Sequence, residues 1–321
     1  MSQNIEMKPN FVTNVDMNFM ENKTLISIVG PTAIGKTTLS LRLAAYFKTE
    51  IISADSRQFF EEMTIGTAVP SEKELAIAAH HCIQHISIQD NYSVGDFEKE
   101  ALEKLENLFQ KHDVVIMVGG SGLYVDAVIN GLDTFPNVKP EIKSLVKNTF
   151  EEQGITALQA QLEKVDPEYY KTVELQNTQR VMRALEVSLS SGKPFSSFRT
   201  KKKKKRPFKS LKIGITADRP IIYNRINQRV DIMIQEGLIN EARSVYQYKH
   251  LNALNTVGYK ELFNYFDGEW ELDFAISEIK KNTRRFAKRQ GTWFRRDTDI
   301  IWFDYKYDLE EILNTINQKN C

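Results

Sequence analysis

Cysteine, long apolar runs and net charge are all scarce in this chain of 321 residues. Its two cysteines, Cys82 and Cys321, match no metal-ligand spacing, so we expect no cysteine-based metal site and a reducing, cytoplasmic setting. No apolar run approaches the ~20 residues that cross a bilayer, so we expect no membrane partner. The formal net charge is only +1, and any affinity for nucleic acid must therefore come from local clusters of cations.

The first segment, residues 1–22, is polar and shows no clear periodicity. It carries Glu6 and Asp16 and has no long apolar run. We therefore expect a mobile lead-in that is not a signal peptide.

Short β-rich runs alternate with helical patterns along most of the chain. The candidate strands are Leu25–Val29, Glu50–Ser53, Ile83–Ile88, Val114–Val118, Leu211–Thr216 and Ile300–Phe303. Strands separated by helices favour an α/β fold with a parallel sheet flanked by helices. Because the strand signal disappears over residues 135–203, we predict an all-helical insertion within a catalytic core of residues 23–134 and 204–321.

The first candidate strand runs directly into "GPTAIGKT", residues 30–37. Gly30, Gly35, Lys36 and Thr37 fit the pattern G-x-x-x-x-G-K-[ST], which predicts a P-loop NTPase-like phosphate loop. The glycines let backbone N–H groups face an anion, Lys36 adds positive charge, and the Thr37 hydroxyl is placed to bind Mg²⁺. The motif leaves the phosphate open: ATP hydrolysis, phosphoryl transfer and expulsion of a diphosphate all suit it.

Polar residues also follow two other candidate strands. Asp55 lies in "ISADSRQFF", and Ser121 follows Gly119 and Gly120 in "VVIMVGGSGLY". Because ligands bind at the carboxyl ends of parallel strands, we predict a shared cleft in which Asp55 accepts a proton or holds the water of a metal. Each segment alone is equally consistent with a structural turn.

Two segments are strongly basic. Nine Lys or Arg residues and no acid lie between Arg199 and Lys212, including "KKKKKR" at residues 201–206, and a solvated loop is the default interpretation. In "EIKKNTRRFAKRQGTWFRR" the cations form two rows spaced by four residues, Lys280, Arg284, Lys288 and Lys281, Arg285, Arg289.

No carboxylate follows Glu278 in this second basic segment. Like charges at helical spacing oppose helix formation, so the rows favour binding of nucleic-acid phosphates over a merely solvated helix. The adjacent Trp293 and Phe294 fit either a core or a base-stacking surface.

The chain resembles the bacterial tRNA dimethylallyltransferases, also called tRNA isopentenyltransferases, from about Leu25 to Arg296. Seven motifs in the family's order carry the resemblance: "GPTAIGKT", "SADSRQFFEEMTIGTAVP", "YSVGDFEKEA", "VGGSGLYVDAVINGL", "NTQRVMRALEV", "VGYKEL" and "RRFAKRQGTWFR". The resemblance implies transfer of a dimethylallyl group from dimethylallyl diphosphate to N6 of adenosine 37 in tRNA, immediately 3′ of the anticodon, with Mg²⁺ assisting. It implies a cytoplasmic protein that binds the anticodon stem-loop, and we expect a monomer.

The resemblance also implies roles for individual residues. The diphosphate would be held by Gly30, Pro31, Thr32, Ala33, Ile34, Gly35, Lys36 and Thr37, with Thr37 also on Mg²⁺. The catalytic residues would be Asp55 as general base, Thr37, Ser121 and Arg229. The tRNA-binding residues would be Asp55, Ser56, Arg57, Gln58, Ser121, Lys143, Gln179, Arg180, Val181, Met182, Arg183, Gly258, Tyr259, Lys260, Lys280, Arg284 and Lys288. The family usually has threonine where this chain has Ser121, so the hydroxyl is kept and a methyl is lost.

Three other functions compete with this one. A small-molecule kinase explains the phosphate loop but neither the helical insertion nor the rows of cations. An adenylate isopentenyltransferase needs no RNA surface. A nucleic-acid-binding ATPase without transfer activity is the third alternative.

Overall fold

The computed structural model of this chain describes residues 22–200 and 202–320. They divide into two compact units: the first comprises residues 22–129 and 205–320, and the second comprises residues 130–204. The helical unit therefore begins at residue 130 rather than the predicted 135 and ends at 204 rather than 203. The predicted lead-in lies outside the described residues, except for Asn22.

The first unit contains a six-stranded parallel sheet, with the strand order β3-β2-β4-β1-β5-β6. The strands are β1 (Thr24–Val29), β2 (Ile51–Ser53), β3 (His80–His81), β4 (Val114–Val118), β5 (Lys209–Thr216) and β6 (Ile300–Asp304). The predicted α/β fold with a parallel sheet is confirmed.

The α-helices, in chain order, are α1 (Lys36–Phe47), α2 (Glu72–Leu75), α3 (Val94–Phe109), α4 (Gly122–Asn130), α5 (Pro140–Val165), α6 (Pro167–Tyr170), α7 (Thr178–Ser191), α8 (Arg219–Gln235), α9 (Leu238–Ser244), α10 (Tyr259–Phe266), α11 (Leu272–Phe294) and α12 (Leu309–Asn320). Short 3₁₀ turns lie at Phe195–Phe198, Tyr246–Tyr248 and Asn252–Leu254. Among the described residues, no helix combines the length and apolar character that a membrane span requires.

The predicted strand Ile83–Ile88 is wrong. The edge strand β3 is only His80–His81, and a single bridge joins Phe60 to Ile86. Cys82 and Gln84 adopt positive φ angles of 55° and 44°, which an extended strand does not permit. Despite its β-rich composition, this segment is an irregular loop. It forms hydrogen bonds with Gln58 and Phe59, which follow β2.

The central strand β1 is buried along its whole length because helices cover both faces of the sheet. Leu25 and Val29 pack on one face with residues of α3, whereas Ile26 and Ile28 pack on the other with residues of α1. Alternate side chains point to opposite faces, and each fully buried Leu or Ile contributes about 1.5–3 kcal/mol. The carboxyl end of β1 is thus a rigid support for the loop that follows it.

A third apolar cluster joins α8, α9, α10 and α11. Val230, Leu238, Tyr259 and Ile279 are each at most 2% exposed within it. This cluster fixes one side of α11, the helix that borders the candidate site.

The second unit, residues 130–204, contains helices and no strand among its described residues. α5 is interrupted at Gly154, whose φ of 72° breaks the helical conformation. Val146, Leu158 and Leu185 are buried in a core of their own. The helical character agrees with the missing strand signal.

The basic run at residues 201–206 has two parts. Lys201 lies outside the described residues, and Lys202–Lys205 are exposed. Arg206 instead forms an ion pair with Glu98 at 2.6 Å and donates to the carbonyl oxygens of Ala127 and Val128 at 2.7 and 2.8 Å. The solvated interpretation is therefore wrong for Arg206, which anchors α4 to α3.

Candidate active site

The glycine-rich loop, residues 30–37, joins β1 to α1 in an unusual backbone conformation. Gly30 and Gly35 have φ angles of 143° and 109°, and Ala33 has a φ of 62°. A Cβ atom on Gly30 would lie 2.4 Å from the carbonyl oxygen of Ile215 in β5, so no larger residue fits there. Left-handed turns of this kind form concave sites lined by N–H groups, which bind anions.

Lys36 folds back over this loop. Its Nζ donates a hydrogen bond to the carbonyl oxygen of Pro31 at 2.8 Å. The pKa of Lys36 is lowered to about 8, chiefly because of burial; Asp55 opposes this lowering and Arg229 adds to it. A bound anion would favour the protonated lysine, so the side chain is suited to a negatively charged ligand.

Two arginines of α8 complete a basic cavity of about 380 Å³ beside the loop. The Nε of Arg225 donates to the carbonyl oxygen of Ala33 at 2.7 Å, and Nη1 of Arg229 lies 3.4 Å from Oγ1 of Thr32. The cavity is lined by Ala33, Ile34, Gly35, Lys36, Thr37, Arg225, Gln228, Arg229 and Ile232. These lining residues include three cations and no acidic side chain, so the charge of the cavity suits an anion.

A second cavity of about 650 Å³ lies at the carboxyl ends of β2 and β4. Asp55, Ser121 and Arg229 all line it, and Arg229 also lines the basic cavity. This position brings the four predicted catalytic residues, including Thr37, to two adjoining cavities of the first unit. The predicted shared cleft thus has a physical counterpart.

Asp55 lies two residues after the end of β2. Its Oδ1 accepts a hydrogen bond from the backbone N–H of Arg57 at 3.1 Å, while Oδ2 has no hydrogen-bond partner in the described parts of the chain. The carboxylate interacts electrostatically with Lys36, Arg57 and Arg229. One oxygen is held by the turn, and the other is available to a ligand in the larger cavity.

Ser121 ties the end of β4 to the end of β2. Its Oγ accepts from the backbone N–H of Ser56 at 3.1 Å and lies 3.0 Å from Oγ of Ser56. The hydroxyl therefore has a positioning contact beside Asp55 that does not require the methyl group of a threonine.

The chain is also similar to proteins of a known family. A family model described as IPP transferase matches residues 58–297. The chain belongs to the IPP transferase family. This confirms the family resemblance carried by the seven motifs.

Two relatives illustrate the similarity within the IPP transferase family. The tRNA dimethylallyltransferase of Christiangramia forsetii is 61% identical over 295 residues, which cover 92% of this chain and 98% of the relative. That of Flavobacterium johnsoniae is 59% identical over 300 residues, covering 92% and 97%.

Solved structures of the family show the same architecture. The full-length tRNA isopentenylpyrophosphate transferase of Bacillus halodurans is 36% identical, with a TM-score of 0.69 and coverage of 93% of this chain and 97% of that chain. A eukaryotic dimethylallyltransferase acting on tRNA is 25% identical, with a TM-score of 0.77 and coverage of 92% and 77%.

The side chains of Arg57 and Gln58 form hydrogen bonds within the protein. Nη1 of Arg57 donates to the carbonyl oxygen of Ala253 at 2.9 Å, and Nε2 of Gln58 donates to that of Ala68 at 2.9 Å. Oε1 of Gln58 accepts from the hydroxyl of Ser53 at 3.1 Å. Arg57 still lines the larger cavity, but Gln58 does not, so its amide chiefly holds loops in place.

The residues predicted from "VGYKEL" separate into two environments. Gly258 and the exposed Lys260 line the larger cavity. Tyr259 is fully buried, and its hydroxyl donates to Glu241 at 2.6 Å. The expectation that Tyr259 contacts RNA directly is therefore corrected for its side chain, which packs in the third apolar cluster.

The predicted residues of the second unit are mostly exposed. Lys143, Gln179, Arg180 and Arg183 present their side chains to solvent, and Met182 is half-buried. Val181 is fully buried in the core of this unit, so the same correction applies to its side chain. The pattern fits a helix with one buried and one basic face.

The cation rows of α11 face different surroundings. Lys280 forms an ion pair with Asp231 of α8 at 2.5 Å, Lys281 pairs with Glu278 at 2.8 Å, and Arg284 donates to Oδ1 of Asn227 at 2.7 Å. The expectation of uncompensated rows is therefore wrong for Lys280, whose partner comes from a neighbouring helix. Lys288 remains exposed.

Sequence reasoning missed several cavity-lining residues of α11. These are Asn282, Thr283, Phe286 and Gln290, which line the larger cavity together with Arg285, Arg289 and Trp293 of the basic segment. Their spacing of three to four residues marks one helix face, a signal that the sequence contains. Trp293 is 38% exposed and its Nε1 donates to Asp126 at 3.1 Å, whereas Phe294 is 3% exposed. The structure thus places Trp293 in the cavity wall and Phe294 in the core.

Proposed function

We propose that this chain is a tRNA dimethylallyltransferase that transfers a dimethylallyl group from dimethylallyl diphosphate to N6 of adenosine 37. The observation that carries the proposal is the meeting of two cavities at Arg229. A diphosphate in the basic cavity and an adenine in the cavity of Asp55 would lie on opposite sides of the transferred carbon. This is the arrangement that displacement of a diphosphate by an amine requires.

The reaction breaks the bond between C1 of the dimethylallyl group and the diphosphate oxygen. A new bond forms between that carbon and N6 of the adenine, and the electron pair of the broken bond leaves with the diphosphate. The amine proton passes to the Asp55 carboxylate, whose Oδ2 has no hydrogen-bond partner among the described residues. A positioned base of this kind contributes about 10²–10⁴-fold in rate.

The basic cavity stabilises the negative charge that develops on the leaving diphosphate. Lys36, Arg225 and Arg229 supply cations, and the glycine-rich loop supplies N–H groups. Preorganised donors aimed at developing charge are among the largest contributions to catalysis. The loop thus holds a leaving group, and no phosphoryl group moves.

Mg²⁺ fits this site as an ion that accompanies the diphosphate. Within the described ranges, no group of three His, Cys, Asp or Glu side chains is arranged to hold a metal, and the Thr37 hydroxyl has no hydrogen-bond partner. Mg²⁺ usually keeps several waters and binds through few protein groups plus substrate phosphates. Thr37 would hold the ion, which would supply positive charge to the leaving oxygens.

Binding of the alkyl diphosphate is expected to weaken as the pH rises above about 8, the value to which burial lowers the pKa of Lys36. The bound anion raises that pKa, so binding takes up protons, and the dissociation constant should rise by up to about tenfold per pH unit between the free and bound pKa values. Calorimetry with a non-reactive alkyl diphosphate measures this dissociation constant at each pH. Lys36→Arg should have a flatter profile because a guanidinium stays charged, and equal slopes would contradict this role of Lys36.

We further propose that the protein binds the anticodon stem-loop of its tRNA substrate. The exposed cations of α11 would bind phosphates of this stem-loop, and the exposed cations of the second unit form a separate surface suited to RNA. The cytoplasm follows from that substrate. Extruding a base costs a few kcal/mol, which phosphate contacts and released counterions offset. We expect a monomer as the working form.

Neutralising the exposed cations of α11 should weaken tRNA binding and flatten its salt dependence. We expect Arg285→Gln with Lys288→Gln to reduce the slope of log K against log salt by roughly 0.7–0.9 for each phosphate that the variant no longer neutralises. Lys280→Gln is the matched control, because Asp231 already pairs with Lys280. Filter binding at several salt concentrations measures the slopes. Equal slopes for the two variants would mean that Arg285 and Lys288 belong to an ordinary solvated surface and do not bind RNA phosphates.

One experiment separates the proposal from the kinase, adenylate isopentenyltransferase and ATPase alternatives. The protein is incubated with dimethylallyl diphosphate labelled in the prenyl group, together with unmodified tRNA, AMP and ATP. We expect label in tRNA only, at N6 of adenosine 37 after digestion. Label on AMP would favour the adenylate enzyme, and ATP consumption without labelled RNA would favour a kinase or an ATPase.

A further inference from the structure

The side chain of Gln290 bridges two loops of the first unit. Gln290 lies on α11 and is 6% exposed. Its Oε1 accepts a hydrogen bond from the backbone N–H of Thr32 at 2.9 Å, and its Nε2 donates to the carbonyl oxygen of Gly120 at 3.0 Å. One amide thus joins the glycine-rich loop to the turn after β4.

The chemistry of the two partners requires an amide at this position. A backbone N–H can only donate and a backbone carbonyl can only accept, so the carbonyl end of the Gln290 side chain must face Thr32 and its NH₂ end must face Gly120. A carboxylate would oppose Gly120 with a second acceptor, and an apolar side chain would leave both buried groups unpaired.

The bridge is also closely packed. A Cβ atom on Gly120 would lie 2.2 Å from Nε2 of Gln290 and 3.8 Å from Nζ of Lys36. Glycine at residue 120 therefore makes room for the amide, and the contact lies next to the lysine of the diphosphate site.

The two bridged loops serve different reactants. The glycine-rich loop borders the basic cavity, and the turn at Gly120 leads to Ser121, which is bonded to Ser56 beside Asp55. Among the described residues, no hydrogen bond joins residues 30–37 directly to residues 119–122. The Gln290 amide is therefore a hydrogen-bonded bridge between the leaving-group side and the acceptor side.

We propose that Gln290 is a positioning residue whose amide sets the distance between the diphosphate loop and the acceptor turn. The inference rests on the proposed prenyl transfer. Each reactant binds mainly to its own loop, so removing the bridge should affect the reaction between them more than the binding of either one. A misplacement of about 1 Å can cost 10²-fold in rate.

The test compares Gln290→Met, which keeps the volume, with Thr292→Ala, an exposed control on the same helix. For Gln290→Met we expect a single-turnover rate about 100-fold lower at saturating substrates. The dissociation constants for tRNA and for a non-reactive alkyl diphosphate should stay within about threefold. The protein should stay folded at the assay temperature, with a somewhat lower melting temperature because two buried groups lose their partner. Thr292→Ala should retain the full rate.

Gln290→Glu supplies a readout that a merely structural role would not move. A protonated carboxyl can donate to the carbonyl oxygen of Gly120, whereas a carboxylate cannot. The rate of Gln290→Glu relative to the unchanged protein should therefore rise as the pH is lowered. A ratio that does not depend on pH contradicts the proposal.

Amide hydrogen exchange tests the bridge without any turnover. The Thr32 N–H should exchange faster in Gln290→Met than in the unchanged protein. If the unchanged protein transfers no prenyl group, the proposed function fails together with the catalytic role of Gln290, while faster exchange at Thr32 would still establish the bridge. An active protein whose Gln290→Met variant keeps its rate, or loses rate and diphosphate affinity by the same factor, overturns the positioning role.

Discussion

Replacing Asp55 by alanine is expected to lower the single-turnover rate of prenyl transfer by about a thousandfold, while tRNA binding persists. The adenine amine is a poor nucleophile, and it must lose a proton as the new carbon–nitrogen bond forms. Asp55 lines the larger cavity, and its carboxylate interacts electrostatically with Lys36 and Arg229. Its removal leaves the phosphate and RNA contacts in place, so the loss should fall on the chemical step.

Asp55→Asn separates proton transfer from the turn that Asp55 stabilises. The asparagine oxygen can still accept from the backbone N–H of Arg57, so the local structure should persist while the base is removed. Rapid-quench measurements with labelled dimethylallyl diphosphate and saturating tRNA give the rates. A rate for Asp55→Asn within tenfold of the unchanged protein would remove Asp55 as the general base.

Replacing Lys36 by methionine should give the second large effect, a loss of about 10²–10³-fold in kcat/KM for dimethylallyl diphosphate. Lys36 lies at the glycine-rich loop, and burial lowers its pKa to about 8, which shows that the free protein disfavours its charge. The charge becomes favourable when the anion binds and grows more favourable as the diphosphate leaves. Steady-state kinetics at varied diphosphate concentration measure the loss.

Thermal unfolding provides the complementary measurement for Lys36→Met. Because burial opposes the charge of Lys36, its removal should leave the melting temperature of the free protein unchanged or higher. Affinity for tRNA alone should also be unaffected. A lower melting temperature with unchanged kinetics would mean that Lys36 serves the fold and not the reaction.

Local patterns in the sequence predicted most of the sheet. Leu25–Val29 and Val114–Val118 are short apolar runs, and buried parallel strands require such runs whatever lies around them. The Ile83–Ile88 prediction failed because its backbone is set by long-range contacts: the N–H of Gln84 donates to the carbonyl oxygen of Gln58, and Gln84 takes a positive φ. No property of the residues alone reveals those contacts.

Charge patterns were less predictable than strands. Lys280 looks unpaired in the sequence, yet Asp231 of another helix forms an ion pair with it. Tyr259 lies within a family motif, but its ring belongs to the core. Whether a cation or an aromatic ring meets a ligand depends on which helices pack beside it, and that packing is a property of the folded chain.

The sequence alone determined the chemistry that is available: a loop shaped for phosphate, a carboxylate and a hydroxyl at strand ends, an excess of cations on one helix, and the family to which the chain belongs. It could do so because glycine conformations, strand periodicity and motif order are local properties. Only the tertiary structure decided that Arg229 borders both cavities and that Gln290 joins their loops. Those contacts join residues about 170 to 260 positions apart, and packing of α8 and α11 beside the sheet brings them together.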